Sequence, residues 1–136
     1  GTIIYNNFKR KFFKNDLFLL NLLGELYYIK DEKFFNILTV VVGSGPAFFY
    51  FLIEALEKNA ISSGLKRNFV EKIIKKTFKG TAALVDNSID NVENLRKKVT
   101  SKGGTTEAAI KYLEKNNFKE LINSSINQAI KISKKL

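Results

Sequence analysis

The sequence predicts a mainly α-helical fold: a helical bundle of about six helices preceded by a short β-α-β unit. After residue 31, apolar side chains recur at helical spacing, and no later segment has the composition of a strand. Before residue 31, two short β-branched and aromatic runs flank one helical segment. A length of 136 residues, 45% of them hydrophobic and 26% charged, suits one globular domain with its own core.

The first 30 residues have the pattern of a strand, a helix and a second strand. Residues 2–6 and 25–30 are the expected strands. The helix between them stops at Gly24 and carries the apolar positions Phe12, Phe13, Leu17, Leu20 and Leu23. Two strands alone rarely persist in water, so we expect them to be the tail of a larger α/β domain. The chain has no methionine and opens within a strand, so we expect it to be a piece of a longer protein.

The single proline marks the expected junction of two helices. The first helix starts near Asp31 and runs to Val42, and Gly43-Ser44-Gly45-Pro46 is expected to interrupt it. Pro46 suits the first position of the next helix, which continues to about Ser62 and ends at Gly64.

Four further helices are predicted, over residues 67–87, 92–98, 105–115 and 118–134. The first of them carries one apolar face, made of Phe69, Ile73, Ile74, Phe78 and Ala82.

Residues 34–53, here named the apolar run, contain no charged side chain and approach a membrane span in length and hydropathy. The expected break lies at the midpoint of the run, where lipid would leave freed backbone groups unsatisfied. Two helix segments covered by protein are therefore favoured over a membrane span. A helix that is apolar on all sides is buried in its domain or between subunits, so we expect a dimer or a larger assembly.

Composition excludes several classes of chemistry. The chain has no cysteine and no histidine, which removes thiol nucleophiles, imidazole bases and nearly every zinc or iron site, and we expect no metal. The net charge of +10 comes mainly from lysines scattered along the chain rather than from a contiguous patch, so we expect no nucleic-acid partner. The acids Asp31, Glu32, Glu54 and Glu57 have the positions of first-turn or solvated helix residues rather than of a catalytic pair.

Residues 101–106, here named the glycine loop, are the most informative segment. Gly103 and Gly104 allow close approach of the backbone, and the helix that follows presents free N–H groups to the loop. Ser101, Thr105 and Thr106 add hydroxyls, so a carboxylate or phosphate site is one interpretation. A polar loop with a threonine N-cap is the other. Residues 43–46 are equally open, as a ligand cradle or as a tight turn between helices.

Taken together, the motifs resemble the carboxy-terminal signature of pyrroline-5-carboxylate reductases in order and spacing. They are Val42-Gly43-Ser44-Gly45-Pro46-Ala47-Phe48, Ile53-Glu54-Ala55-Leu56, Gly80-Thr81-Ala82 and residues 95–106, continued by Leu113-Glu114 and Phe118. Residues 22–32 resemble the last helix and strand of that family's nucleotide-binding domain. The resemblance implies a domain division into residues 1–30, the tail of a Rossmann domain, and residues 31–136, a helical domain for dimerisation and substrate binding. It also implies a fold like the carboxy-terminal domain of 6-phosphogluconate dehydrogenase.

The resemblance implies a function as well. The family reduces 1-pyrroline-5-carboxylate to L-proline with NADPH or NADH in the cytoplasm, as a homodimer that often assembles into a decamer. The glycine loop would hold the substrate carboxylate, and the hydroxyl of Thr106 would lie near the ring nitrogen as the catalytic group. The substrate-binding residues implied are Val99, Ser101, Gly103, Gly104, Thr105 and Thr106.

Three departures separate this chain from the family pattern. Lys102 replaces the usual proline of the loop, which loses a rigid φ but adds a cation, and Ile89 stands where relatives often carry an acid. The glycine-rich dinucleotide fingerprint is absent from the sequence, so we expect this chain alone to bind no cofactor and to be inactive. A degenerate or split relative that acts only as a dimerising scaffold is the alternative function.

Overall fold

The structure is a computed structural model that describes residues 2–5 and 14–135. The described residues are mainly helical, which confirms the predicted fold class. The strands are β1 (Thr2–Tyr5) and β2 (Leu26–Ile29), and the helices are α1 (Lys14–Leu23), α2 (Phe35–Leu38), α3 (Gly45–Ser62), α4 (Arg67–Asn87), α5 (Val92–Lys98), α6 (Thr105–Lys115) and α7 (Phe118–Ser133).

The amino-terminal part is a β-α-β unit, as predicted. Strands β1 and β2 pair in parallel, with Ile3 opposite Tyr27, and α1 connects them. Gly24, with φ of 146°, follows the last residue of α1 and ends that helix. Phe12, Phe13 and Asn6, which the sequence assigned to this unit, lie outside the described residues.

The predicted interruption around Pro46 is wrong, because one helix continues from Glu32 to Ser62. It begins with a 3-10 turn over Glu32–Phe34, where the Asp31 side chain accepts a hydrogen bond from the Lys33 N–H at 3.0 Å. Between α2 and α3 the chain forms a π-helical segment, Thr39–Ser44. Pro46, the second residue of α3 rather than the first, has no N–H to donate, and its ring needs space beside the preceding turn. A wider π turn supplies that space, so the helix continues.

The remaining helix ends agree with the sequence patterns. Gly64, with φ of 97°, terminates α3, and the Leu65 N–H donates back to the Ala60 carbonyl at 3.3 Å. Helices α4, α5 and α6 have the predicted bounds, and α7 ends one residue early, at Ser133.

The described residues form two compact units, one drawn from residues 2–5, 14–46 and 123–135 and the other from residues 47–122. Val40 is buried in the first unit, where the Ser133 hydroxyl donates to Asn36 Oδ1 at 2.9 Å. Val70 is buried in the second, where the Phe49 and Phe78 rings lie 6.1 Å apart and join α3 to α4. The predicted domain boundary between residues 30 and 31 stays a prediction.

The apolar run is exposed within a single chain. The helix Glu32–Ser62 is long and apolar enough, by length and composition, to cross a membrane, and only 6% of its apolar window is buried. Burial inside the domain, one of the two expected outcomes, is therefore wrong. Burial between subunits stays a prediction.

Candidate functional site

The glycine loop is built around a tight turn. The Gly104 N–H donates to the Ser101 carbonyl at 3.0 Å, which closes a four-residue turn. Gly103, the third residue of that turn, has φ of 76°, as a type II turn requires. A Cβ on Gly104 would lie 2.6 Å from Ser101 Oγ and 3.1 Å from the Ser101 carbonyl. The two glycines therefore have separate roles: Gly103 allows the positive φ, and Gly104 allows the chain to pass close to Ser101.

Gly104 is the N-cap residue of α6, and no side chain caps that helix end. Thr105 and Thr106 are the first and second helical residues, so the alternative of a threonine N-cap is wrong. The position before the helix is occupied by Gly104, where the chain passes too close to Ser101 for a side chain.

Hydrogen-bond donors converge at the start of α6. Within the described part of the chain, the N–H groups of Thr105, Thr106 and Glu107 have no acceptor. The hydroxyls of Ser101, Thr105 and Thr106 also make no hydrogen bond among these residues. Thr106 is half-buried, whereas Ser101 and Thr105 are exposed. Free N–H groups at the positive end of a helix dipole suit a small anion such as a carboxylate.

The Gly103 N–H, like the Gly104 N–H, already has a partner within the chain. It donates to Glu107 Oε2 at 2.8 Å, and Glu107 Oε1 lies 3.1 Å from the ammonium nitrogen of Lys111. The Gly103 N–H, followed by Lys111, lowers the pKa of the Glu107 carboxyl, so this group is ionised at neutral pH. Sequence reasoning missed Glu107. The available signal was an acid at the third position of a helix, where side chains reach back to the preceding backbone.

The segment leading into the loop is fixed by polar contacts around α5. The Asn91 side chain caps α5 by accepting from the Asn94 N–H at 2.9 Å. Lys98, the last residue of α5, pairs with Asp90 in the turn before the helix. The Thr100 hydroxyl donates to the Arg96 carbonyl at 2.7 Å. The chain therefore leaves α5 in a defined direction.

The remaining candidate residues lie around this segment. Val99 follows α5 as its C-cap, with an exposed side chain next to the loop. Ile89 is fully exposed in the turn after α4, and the acid that pairs in this turn is its neighbour Asp90. Lys102 is exposed at the second position of the loop turn.

A separate cavity of about 690 Å³ lies in the same unit but includes none of residues 99–106. Its lining combines apolar side chains with a few charged ones: Leu52, Arg96, Ile110, Leu113, Glu114, Asn117, Phe118, Lys119 and Glu120. A wide apolar cleft of this kind suits a packing surface better than the small anion site of the loop.

Comparison with known proteins places these features in one family. Residues 32–136 match the family described as pyrroline-5-carboxylate reductase dimerisation. The chain is 34% identical over 140 aligned positions to the pyrroline-5-carboxylate reductase of Staphylococcus epidermidis strain RP62A, covering 99% of this chain and 51% of that protein. It is 36% identical over 118 positions to pyrroline-5-carboxylate reductase 1 of Bacillus subtilis strain 168, covering 87% of this chain and 39% of that protein.

Solved structures agree with the sequence comparison. Plasmodium falciparum pyrroline carboxylate reductase with NADP bound matches with a TM-score of 0.82 and 31% identity, over 93% of this chain and 52% of that one. A pyrroline-5-carboxylate reductase from Coxiella burnetii matches with a TM-score of 0.84 and 30% identity, over 98% of this chain and 50% of that one. The chain thus spans about half the length of the relatives it matches, or less.

Proposed function

Since this chain belongs to the pyrroline-5-carboxylate reductase family, we propose that it is the dimerisation and substrate-binding half of a proline-biosynthetic reductase. The proposed reaction converts 1-pyrroline-5-carboxylate to L-proline with NADPH or NADH. One observation carries the proposal: within the matched residues, the start of α6 gathers free N–H groups and hydroxyls around a glycine turn.

The glycine loop is the proposed carboxylate site. The N–H groups of Thr105 and Thr106 and the hydroxyls of Ser101 and Thr105 donate to the substrate carboxylate. Gly103 and Gly104 contribute by shape, because the turn that exposes these donors requires glycine at both positions. The side chain of Val99 contacts the apolar part of the ring.

Thr106 is the proposed catalytic residue. Thr106 is half-buried, and its hydroxyl makes no hydrogen bond within the described residues, so the hydroxyl can donate to the ring nitrogen. A hydrogen bond there polarises the C=N bond and favours attack at its carbon. The nicotinamide cofactor supplies the hydride when it is bound.

The cofactor belongs to the other half of the proposed enzyme. This sequence has no glycine-rich dinucleotide fingerprint, so its own residues do not form a recognisable site for NADPH or NADH. The parallel pair β1–β2 with α1 is consistent with residues 1–30 being the tail of a Rossmann domain and residues 31–136 being the second domain.

A second copy of the chain is the proposed partner. The apolar run is exposed in one chain, and its side chains require cover by protein or lipid. We favour a homodimer in the cytoplasm, with a decamer as its larger assembly and without a membrane or nucleic acid as partner. The matched family is a dimerisation family, which supports cover by protein.

The alternative function is a dimerising scaffold without catalysis. Two observations favour it, the replacement of the expected proline by Lys102 and the exposed Ile89 where an acid is expected. Both functions use the same dimer surface, so activity alone separates them.

The deciding experiment is a chimera in which these 136 residues replace the matching half of the Staphylococcus epidermidis relative. We expect the chimera to oxidise NADPH or NADH in the presence of 1-pyrroline-5-carboxylate. We expect the 136-residue chain alone to show no such oxidation. A folded, dimeric but inactive chimera would favour the scaffold.

Thr106→Ala in this chimera tests the catalytic assignment. We expect kcat/KM to fall about 100-fold, as for the loss of one donor to a transition state, while Tm stays nearly constant. Thr106→Ser, which keeps the hydroxyl, should retain most of the rate. An unchanged rate together with a lower Tm would make Thr106 a structural residue only.

A further inference from the structure

We infer that Glu107 is a positioning residue: its carboxylate holds Gly103 so that the glycine loop keeps its binding shape before substrate arrives. The inference rests on the proposed function, because it assumes that the loop binds the substrate carboxylate. It concerns a residue that touches the loop backbone rather than the substrate.

The contacts of Glu107 join the loop to its helix. One carboxylate oxygen accepts the Gly103 N–H at 2.8 Å, and the other lies 3.1 Å from the Lys111 ammonium. Lys111 is one turn further along α6, so the carboxylate bridges the loop and a rigid helix. The Glu107 side chain is only partly exposed, which limits competition by water.

The loop needs such a constraint because of its composition. Gly103 has φ of 76°, and glycine has more conformations to lose on ordering than any other residue. Lys102, the residue before it, leaves φ free at the second position of the turn, where proline would fix it. Within the turn itself, the Gly104 N–H to Ser101 carbonyl bond is a single restraint. The contact from Glu107 is a second restraint, applied at the residue with the greatest freedom.

The same contact determines which donors remain for the ligand. The Gly103 N–H is taken, while the N–H groups of Thr105 and Thr106 stay free at the start of α6. The negative charge of Glu107 is offset by Lys111 and by the Gly103 N–H, so it opposes anion binding less than an unpaired carboxylate would. Glu107 therefore orders the loop without occupying the donors of the proposed site.

Two substitutions in the chimera separate the reach of the side chain from its charge. Glu107→Gln keeps the length and an acceptor oxygen but loses the charge. Glu107→Asp keeps the charge at the helix start but is one methylene too short to keep the bond to Gly103. We expect Glu107→Asp and Glu107→Ala to raise KM for 1-pyrroline-5-carboxylate about 10-fold, as the competent fraction of loops falls to about one tenth. The kcat value should stay within about twofold of the parent, since saturating substrate restores the competent loop.

Glu107→Gln should change KM by less than about threefold, because the bond to Gly103 persists. Lys102→Pro in the Glu107→Ala background should return KM towards the parent value, because proline fixes the neighbouring φ in the same turn. Glu93→Ala is the matched control, since Glu93 also pairs with a lysine four residues on, at 2.7 Å, but its ion pair lies within α5 rather than with the loop. Its KM should not change.

The outcomes distinguish this inference from the proposed function. A normal KM for Glu107→Asp with an impaired Glu107→Gln would show that only charge at the helix start matters, and would overturn the inference. An unchanged KM for Asp, Ala and Gln alike, with activity still lost in Thr106→Ala, would overturn it and leave the proposed function standing. Unchanged rates in Thr106→Ala and in all Glu107 variants would overturn both.

Discussion

The apolar run and the glycine loop differ in how much of their environment one chain supplies. The run, residues 34–53, exposes most of its aromatic and aliphatic side chains, although no charged residue lies within it. The loop has its turn closed, its glycines in the required conformations and its backbone tied to Glu107 within the same chain. The run therefore lacks cover within one chain, whereas the loop is already formed.

This difference matters for how the two regions respond to substitution. We expect a change in the run to act through association, because its side chains have few neighbours in a single chain. A change in the loop acts through local conformation, because its backbone contacts are already made. Three predictions test this division.

The largest effect is expected from a charge placed in the run. Phe51 is 74% exposed in one chain, so Phe51→Asp should not disturb the fold of that chain. If a second copy covers Phe51, the unpaired carboxylate loses its hydration on association. We expect the dissociation constant of the dimer to rise at least about 100-fold, which corresponds to a loss of roughly 3 kcal/mol in the free energy of association. Light scattering across a concentration series of the 136-residue chain measures this dissociation constant.

The control for this charge is Ile89→Asp. Ile89 is exposed too, but it lies outside the run, so a carboxylate placed there should leave the mass of the assembly in solution unaltered. A monodisperse monomer for the unsubstituted chain at micromolar concentration would contradict the role assigned to the run.

An intermediate effect is expected from alanine at the left-handed glycines. Gly103 and Gly64 have φ of 76° and 97°, and a Cβ at either position meets open space. Both substitutions should therefore lower the unfolding free energy by about 1–2 kcal/mol through backbone strain alone. Only Gly103→Ala should also raise KM in the chimera, since Gly64 ends α3 far from the loop in sequence. Equal effects on KM from the two variants would show that the loop is not a preformed site.

The smallest effect is expected from pH. The Gly103 N–H and Lys111 lower the pKa of Glu107, and Lys97 lowers the pKa of Glu93, from an ordinary value of 4.5. Because these pKa values are lower in the folded state, the stabilisation is present above about pH 4.5 and is lost as pH falls through the folded values. Both carboxyl groups are ionised throughout the range from about pH 6 to 8, and the chain has no histidine that would titrate there. We therefore expect Tm to be constant over that range.

Thermal melting of the chain and of Glu107→Gln between about pH 3 and 8 checks this dependence. The Tm of the variant should fall less on acidification than that of the parent, because the variant lacks the Glu107 carboxyl group that titrates. An identical acid response would mean that the Glu107 bridge does not persist in solution.

Much of the fold could be predicted because the signals are local. Apolar spacing and the turn residues between helices predicted the bounds of α4, α5 and α6, and glycines with positive φ end α1 and α3 where expected. The π-helical segment before Pro46 was missed, since a proline in sequence predicts a break and a helix accommodates it only when the preceding turn can widen. The exposure of the apolar run was also misjudged in part, because hydropathy indicates that cover is needed and does not say which chain provides it.

The sequence by itself determined the family, the helical fold and the identity of the loop, because all three depend on residue types at fixed spacing. The tertiary structure decided that Gly104 rather than a threonine caps α6, and that the Gly103 N–H is engaged by Glu107. It also decided that Asp90, in the turn beside the exposed Ile89, pairs with Lys98. Each of these depends on where backbone and side-chain atoms lie after the turns have formed, and the order of residues does not specify such distances.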